Sequence, residues 1–506
     1  MNGVISMNNL PGIYPDLVVL LGAFAVLALE LLWPQKGSKT RVLYVSMAVL
    51  GLGLLGLGAR SWGMPQEVFP GFLRVDGLSG MAKFILLGIG ILTLAAGKSG
   101  SRNLGLDHAE YYALLLFALF GMMQLCGSVN FLGTFVDLET FSLAMYVLAG
   151  FNKRLAGNRE AALKYFLPGA FAAAFFLFGL ALVFGATGSV RYQDFVTAWQ
   201  SPALREAQRA LMLAGLGLML AAFAFKVGLV PFHFWVPDVY EGASTPVSAF
   251  LSAGAKVAGM VALLRLVGLV ADPLDFFQAG PSSYALGRVL LLLSVLTMMV
   301  GNLAALRQKS VKRMLAYSSV AHSGYALVGL VAVLGGHSPD GASALMAYVL
   351  VYVLMNFAAF GLVAALEAGW PQALLGRPPM LEDFNGLGFA KPVFGAALAL
   401  AMFSMAGLPP TAGFTAKFFL FKSAVEAGQV GLVVVAVLNS VLSAAYYLRL
   451  VVHLYMRPAA REAGLPLFEG WGAWMTVFCA LLLLFWGLLP QSLINLSQAA
   501  TMGIWH

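Results

Sequence analysis

About fourteen apolar runs follow one another along the chain, separated by short polar segments that hold most of the charged residues. Each run is close to the ~20 residues that an α-helix needs to cross a bilayer. The pattern therefore predicts about fourteen transmembrane helices, numbered here as spans 1 to 14. The runs lie near Leu17–Trp33, Val42–Gly58, Leu78–Ala96, Tyr111–Gly127, Phe131–Phe151, Leu163–Gly185, Ala210–Val230, Val247–Val270, Gly287–Leu306, Met314–Gly335, Ala344–Leu366, Val393–Phe421, Gly431–Tyr455 and Gly472–Leu489.

Two spans contain proline and glycine inside the apolar run. In span 7, Lys226 precedes Gly228 and Pro231, so we expect the helix to break between that glycine and that proline. Span 12 contains the segment Gly407–Gly413, which includes two prolines, and Lys417 follows it. Paired broken segments at corresponding places indicate internal repeats.

The two breaks lie five spans apart, which predicts two units of five spans each. Because five is an odd number, the second unit must be inverted in the membrane relative to the first. The predicted divisions are residues 1–108 with three N-terminal spans, residues 109–270 with spans 4–8, residues 280–456 with spans 9–13, and residues 471–490 with span 14.

Composition agrees with an all-α integral membrane protein. Hydrophobic residues make up 60% of the 506 residues, charged residues make up 10%, and the mean hydropathy is +0.86. The first run has no basic segment before it and no small-residue cleavage site after it, so we expect it to be retained as a span.

Charge indicates orientation rather than a nucleic-acid partner. The net charge of +8 comes from basic residues scattered through short loops. These residues are roughly twofold richer in every second loop, which places those loops in the cytoplasm and both termini on the outer side. The two cysteines, Cys126 and Cys479, lie in separate spans, which argues against an iron–sulfur or zinc site. No glycine-rich phosphate-binding motif is present, so we predict no nucleotide site.

Several charged residues lie inside the runs, where a charge costs roughly 2.5–3.5 kcal/mol on insertion scales. Glu139 in span 5 shares a helix face with Ser142 and Tyr146, and we expect it to pair with Lys226 in span 7. The pair can act as a charge switch, or it can be a static ion pair that fixes helix packing. Snorkelling near the helix ends is the alternative for the lysines.

Lys256 lies at the end of a polar line in span 8. Thr245, Ser248 and Ser252 precede it at spacings of three, four and four residues, so all four share one face. This line predicts a water chain that leads from the cytoplasmic end to Lys256. The alternative is that these small side chains only allow close helix packing.

His322 in span 10 shares a face with Ser318 and Tyr325. A histidine can relay protons near neutral pH, and a structural histidine is the alternative interpretation. Lys417, about two turns beyond the prolines of span 12, is predicted to complete the path towards the outer side. Asp137 points away from the Glu139 face and stays unassigned.

Three stretches carry a family resemblance: Val230-Pro-Phe-His-Phe-Trp-Val-Pro-Asp-Val-Tyr240, Met314-Leu-Ala-Tyr-Ser-Ser319 and Gly407-Leu-Pro-Pro-Thr-Ala-Gly-Phe414. They resemble the antiporter-like membrane subunits of respiratory complex I, the proton-pumping NADH:quinone oxidoreductase, and the resemblance covers most of the chain. Of the three subunit types with this fold, the segments Lys164–Gly179 and Gly185–Gly188 look most like the N-type. The M-type would carry a glutamate at the position of Lys417, and the L-type is longer.

The resemblance implies a proton-translocating subunit of a bacterial inner-membrane complex. It places the functional residues at Glu139, Lys226, Lys256 and Lys417. It also implies that NADH, FMN, iron–sulfur clusters and quinone bind to partner subunits, that this chain carries no cofactor, and that its partners include the related antiporter-like subunits and lipid. A subunit of a multi-subunit sodium/proton antiporter with the same fold is the competing function.

Overall fold

The computed structural model describes residues 10–34, 39–58, 66–98, 104–268, 281–334, 340–458 and 470–502. The predicted boundary between the two repeats at residues 270–280, and both extreme ends of the chain, lie outside the described residues. Within these ranges the chain forms nineteen α-helices, two 3₁₀ helices and one pair of short strands. The α-helices are α1 Leu10–Leu32, α2 Thr40–Gly58, α3 Gly77–Lys98, α4 Ala109–Gly127, α5 Phe131–Ala149, α6 Ala156–Thr187, α7 Tyr192–Gln200, α8 Glu206–Val227, α9 Val236–Gly242, α10 Thr245–Gly268, α11 Pro281–Leu306, α12 Val311–Leu334, α13 Gly341–Ala368, α14 Leu387–Ala390, α15 Pro392–Ala406, α16 Ala412–Glu426, α17 Val430–Met456, α18 Trp471–Leu488 and α19 Pro490–Thr501.

Thirteen of the described helices are long and apolar enough to cross a membrane. The remaining predicted span, span 12, is present as two short helices, α15 and α16. The predicted all-α membrane architecture, with about fourteen spans and a broken helix in each half, is confirmed. The exact domain boundaries of the two repeats stay a prediction.

The two breaks have the same local structure. Gly228 ends α8 with φ of 74° and Gly407 ends α15 with φ of 82°, a left-handed conformation that glycine adopts without steric cost. The N–H of Leu229 donates to the Ala224 carbonyl at 2.8 Å, and the N–H of Leu408 donates to the Phe403 carbonyl at 3.0 Å. These bonds close each helix end before the following proline, as the sequence predicted for the first break.

Helices α10 and α13 lie at the centre of the bundle. Every residue in their apolar windows is buried inside the protein, whereas only about a third of the corresponding window of α1, α6 or α17 is buried. Polar side chains on α10 and α13 therefore face neighbouring helices rather than lipid. This arrangement explains how a lysine and a line of hydroxyls can lie along α10.

Some described elements were not predicted from the apolar pattern. Strands β1 (Gln66–Phe69) and β2 (Leu73–Val75) pair antiparallel, and α7, α9, α14 and α19 are too short to span a membrane. The 3₁₀ helices are Gln372–Leu374 and Leu381–Phe384. A search for runs of membrane-spanning length does not detect such short elements, because they are shorter than a span.

Candidate functional site

Lys226 occupies the last turn of α8, with its side chain inside the protein (3% exposed). Its Nζ donates to Ser142 Oγ at 2.5 Å and to Tyr146 Oη at 3.0 Å. The last turn of a helix carries carbonyl oxygens without helical partners and the negative end of the helix dipole, so it favours a cation. Lys226 thus lies one residue before the end of α8, while its Nζ is bound by hydroxyls of α5.

Glu139 is half-buried on the same face of α5 as Ser142 and Tyr146. Among the described residues it forms no direct ion pair with Lys226, whose hydrogen-bond partners are the two hydroxyls. The charge of Glu139 still acts on Lys226 through space. The structure therefore brings the two residues to one region. Lys226 Nζ contacts α5 one to two turns beyond Glu139.

Lys256 is buried at 5% exposure, and its Nζ donates to Ser319 Oγ of α12. Ser252 pairs with Ser319 at 3.1 Å and with Tyr352 Oη of α13 at 2.7 Å. Lys256 Nζ also lies 5.2 Å from the centroid of the Tyr352 ring. The ammonium group therefore lies among neutral hydroxyl and aromatic partners from α12 and α13 rather than at a helix end.

His322 lies between two tyrosines, with Nδ1 at 2.7 Å from Tyr348 Oη and Nε2 at 3.1 Å from Tyr447 Oη. Its ring centroid is 5.1 Å from that of Tyr352 and 5.9 Å from that of Tyr325. The charges of Lys256 and Lys417 both reach it. His322 therefore occupies the region between the two lysines, which the sequence pattern alone left open.

Lys417 of α16 folds back onto the end of α15. Its Nζ donates to the carbonyl oxygens of Met405 at 2.9 Å and Ala406 at 3.3 Å, and to Ser440 Oγ at 2.9 Å. The ring centroid of Tyr325 is 4.9 Å from Nζ. The Lys417 ammonium group thus lies at the carbonyl end of α15, where the helix dipole favours positive charge, whereas Lys226 Nζ is bound by hydroxyls of α5.

A row of polar and aromatic side chains lies between Lys256 and Lys417. Hydrogen bonds join Lys256 to Ser319 and Ser319 to Tyr352. Ring contacts then lead from Tyr352 to His322 and Tyr325, and the Tyr325 ring lies against Lys417. Hydroxyl and imidazole groups both donate and accept hydrogen bonds, so they can pass a proton along after small reorientations. The arrangement suits stepwise proton transfer across the middle of the bundle.

Sequence reasoning missed two further buried lysines, Lys83 and Lys312. Lys83 of α3 is 2% exposed, and its Nζ lies 2.6 Å from Oδ2 of Asp16, which is fully buried on α1. The signal was present, since Lys83 lies inside the predicted span 3. Unlike Lys226, Lys256 and Lys417, Lys83 has a carboxylate partner in direct contact.

A second buried ion pair lies near the same end of the bundle. Arg265 at the end of α10 donates to both carboxylate oxygens of Asp76 at 2.8 Å and 3.0 Å, and its Nε donates to the Cys126 carbonyl at 2.6 Å. The charges of Asp16 and Lys83 act on Asp137 as well. The structure therefore assigns Asp137 to this charged cluster, away from Lys226.

Residues 128–443 match the family model described as NADH:quinone oxidoreductase/Mrp antiporter, transmembrane region. The chain is 38% identical over 502 residues to NADH-quinone oxidoreductase subunit N of Trichlorobacter lovleyi, covering 97% of each chain. It is 40% identical over 445 residues to the subunit of the same name from Chloroflexus aggregans, covering 87% of each.

Solved membrane complexes share the fold. A chain of respiratory complex I from Thermus thermophilus is 36% identical, with a TM-score of 0.77 and coverage of 95% of this chain and 98% of that one. A chain of the Mrp complex from a Dietzia species has a TM-score of 0.80 at 23% identity, with 98% of each chain covered. The second likeness shows the fold alone, because its sequence identity is low.

Proposed function

Because the chain belongs to the NADH:quinone oxidoreductase/Mrp antiporter transmembrane family, we propose that it is the N-type, proton-translocating membrane subunit of NADH:quinone oxidoreductase. It couples electron transfer from NADH to quinone on other subunits to proton pumping across a bacterial plasma membrane. Relatives at 36–40% identity that carry the subunit N name support this function over a sodium/proton antiporter subunit. The antiporter remains the second candidate, because its members share the fold.

The observation that best supports this function is the row of polar side chains between Lys256 and Lys417. Both lysines are buried, and their hydrogen-bond partners are neutral groups. A lysine held by hydroxyls and carbonyls can release its proton without leaving an isolated buried carboxylate behind. Protons reach Lys256 from the cytoplasmic side, cross by way of His322 and leave beside Lys417. The loop charges that define this orientation also place both termini on the outer side.

Coupling to electron transfer is electrostatic. A change of charge at Glu139 alters the field at Lys226, and the altered field shifts the proton affinity of Lys256 and then of Lys417. Charges interact over longer distances in the bundle interior than in water, because the effective dielectric constant is lower. NADH, FMN, iron–sulfur clusters and quinone act on the partner subunits, and this chain supplies only the proton path.

The test is Lys256→Arg in the assembled complex. Arginine keeps the positive charge and stays protonated, so we expect NADH-driven proton pumping to fall while the amount of assembled complex is retained. Lys153→Arg, at an exposed lysine, is the matched control. Pumping at the parent rate in Lys256→Arg refutes the proposal.

Co-purification separates the two candidate functions. A tagged copy of this chain is expected to carry along subunits that oxidise NADH and reduce quinone. Recovery with cation-antiporter subunits alone, and sodium/proton exchange without NADH, would favour the second candidate.

A further inference from the structure

An open cavity of about 420 Å³ lies on the predicted cytoplasmic side, where α6 and α12 begin and α9 and α13 end. Charged groups of both signs line it. Asp238, Glu241 and Arg313 are partly exposed, whereas Glu367 and Lys312 are buried. The two buried charges therefore lie at the inner end of a water-accessible cavity.

The carboxylates of this cavity have different partners. Asp238 lies 2.6 Å from Arg313 Nη1 and 2.7 Å from Lys164 Nζ, and Glu241 lies 3.1 Å from Arg313. Burial alone would raise the pKa of Asp238, but hydrogen bonds from Lys164 and Arg313 hold it below its usual value. Asp238 is thus held in its ionised form by direct cationic contacts.

Glu367, in the last turn of α13, has a different environment. Its Oε2 accepts a hydrogen bond from Thr245 Oγ1 at 2.5 Å, and its Oε1 is 3.7 Å from Lys312 Nζ. Lys312 donates its close hydrogen bond, at 2.7 Å, to the Ala243 carbonyl instead. The Lys312 ammonium group therefore lies beside one oxygen of Glu367 and leaves the other oxygen to Thr245.

Thr245 is the first residue of the polar line on α10. Lys256 lies about 17 Å further along the helix axis, from a rise of ~1.5 Å for each of the intervening residues. Ser248 and Ser252 divide this distance into steps of roughly 4.5–6 Å, and one water molecule can bridge each step. Glu367 thus joins the cavity to the line that ends at Lys256.

We propose that Glu367 is the proton-collecting residue of this subunit, an inference that rests on the proposed function. The Glu367 carboxylate takes a proton from cavity water and becomes a carboxylic acid. It then gives that proton to the Thr245 hydroxyl, which passes its own proton inward. Lys256 in its neutral amine form accepts the proton at the end of the line, and Glu367 returns to carboxylate. Proton uptake by the first five-span unit therefore depends on α13, a helix of the second unit.

The test is Glu367→Gln in the assembled complex. Glutamine keeps the shape and can still accept the Thr245 hydrogen bond, but it cannot take up a proton. We expect NADH:quinone turnover and coupled proton pumping to fall roughly a hundredfold, the lower end of the ~10²–10⁴-fold that a proton-transferring group contributes. Glu367→Asp, which keeps a carboxyl group, is expected to retain more turnover than Glu367→Gln.

Chemical rescue separates proton collection from a structural role. The cavity is large enough for formate or acetate, so adding either weak acid is expected to restore turnover of Glu367→Gln several-fold. Turnover is the readout, since permeant weak acids collapse pH gradients. Glu110→Gln, at an exposed carboxylate of the same membrane side outside the cavity, is expected to behave as the parent chain does.

The outcomes are distinguishable from those of the proposed function. Parent-like turnover in Glu367→Gln, or loss that neither weak acid nor Glu367→Asp relieves, overturns the assignment of Glu367. If Lys256→Arg is impaired in the same preparations, the proposed function stands and only this inference falls. Parent-like pumping in Lys256→Arg refutes both the proposed function and the assignment of Glu367.

Discussion

The direct ion pair of Lys83 predicts a stability phenotype that Lys226, Lys256 and Lys417 do not share. Lys83 Nζ and Asp16 Oδ2 are 2.6 Å apart, with side chains 2% and 0% exposed. At an effective dielectric constant of ~20, this distance corresponds to a Coulomb attraction of about 6 kcal/mol before desolvation is subtracted. Removing one partner of a buried pair typically costs ~3–5 kcal/mol, because the other charge is left without compensation.

We therefore expect Lys83→Met to lower the free energy of unfolding by about 3–5 kcal/mol. Replacing both partners, in Asp16→Asn with Lys83→Met, removes both charges and should recover most of that loss. Pumping per assembled complex should stay close to the parent value in the double variant. The pair then has a structural role, in contrast to the lysines with neutral partners.

The chain supplies its own reporter of unfolding. Cys126 and Cys479 are both fully buried, and Cys126 lies within reach of the charges of Lys83 and Asp16. The rate at which a thiol-reactive dye labels them on heating follows the population of open states. A loss of 3–5 kcal/mol corresponds to a roughly 10²–10⁴-fold larger open population, since ~1.4 kcal/mol is a factor of ten. Equal labelling of Lys83→Met and the parent chain, or a double variant less stable than both single variants, would refute this reasoning.

The remaining predictions concern the charged residues of the proposed proton path. Glu139→Gln and Lys226→Ala are each expected to reduce NADH-driven pumping in vesicles more than they reduce assembly, and parent-like pumping in both would remove their functional role. Lys417→Met should slow pumping while leaving assembly largely intact, since its hydrogen-bond partners Met405, Ala406 and Ser440 are neutral groups. An experimental structure with ordered water should show a hydrated polar axis between Lys256 and Lys417, and a dry gap in every turnover state would contradict the path.

Much of the architecture could be predicted from local properties of the sequence. Span length, the proline and glycine breaks, and the cost of a charge inside an apolar run depend on residues close together in the chain. For that reason the positions of the spans, the break after Gly228 and the burial of Lys226, Lys256 and Lys417 followed from the sequence alone.

The partner of each buried charge was decided by the tertiary structure. Helix periodicity states which side chains share a face, but not which helix that face meets. Thus Glu139 was the expected contact of Lys226, while the fold brought Ser142 and Tyr146 of α5 to its Nζ instead. Lys83 and Asp16 are 67 residues apart in the chain, and Thr245 and Glu367 are 122 apart. Such contacts arise only when distant helices pack together. The free energy of a buried charge then depends on which partner the fold brings within a few ångströms.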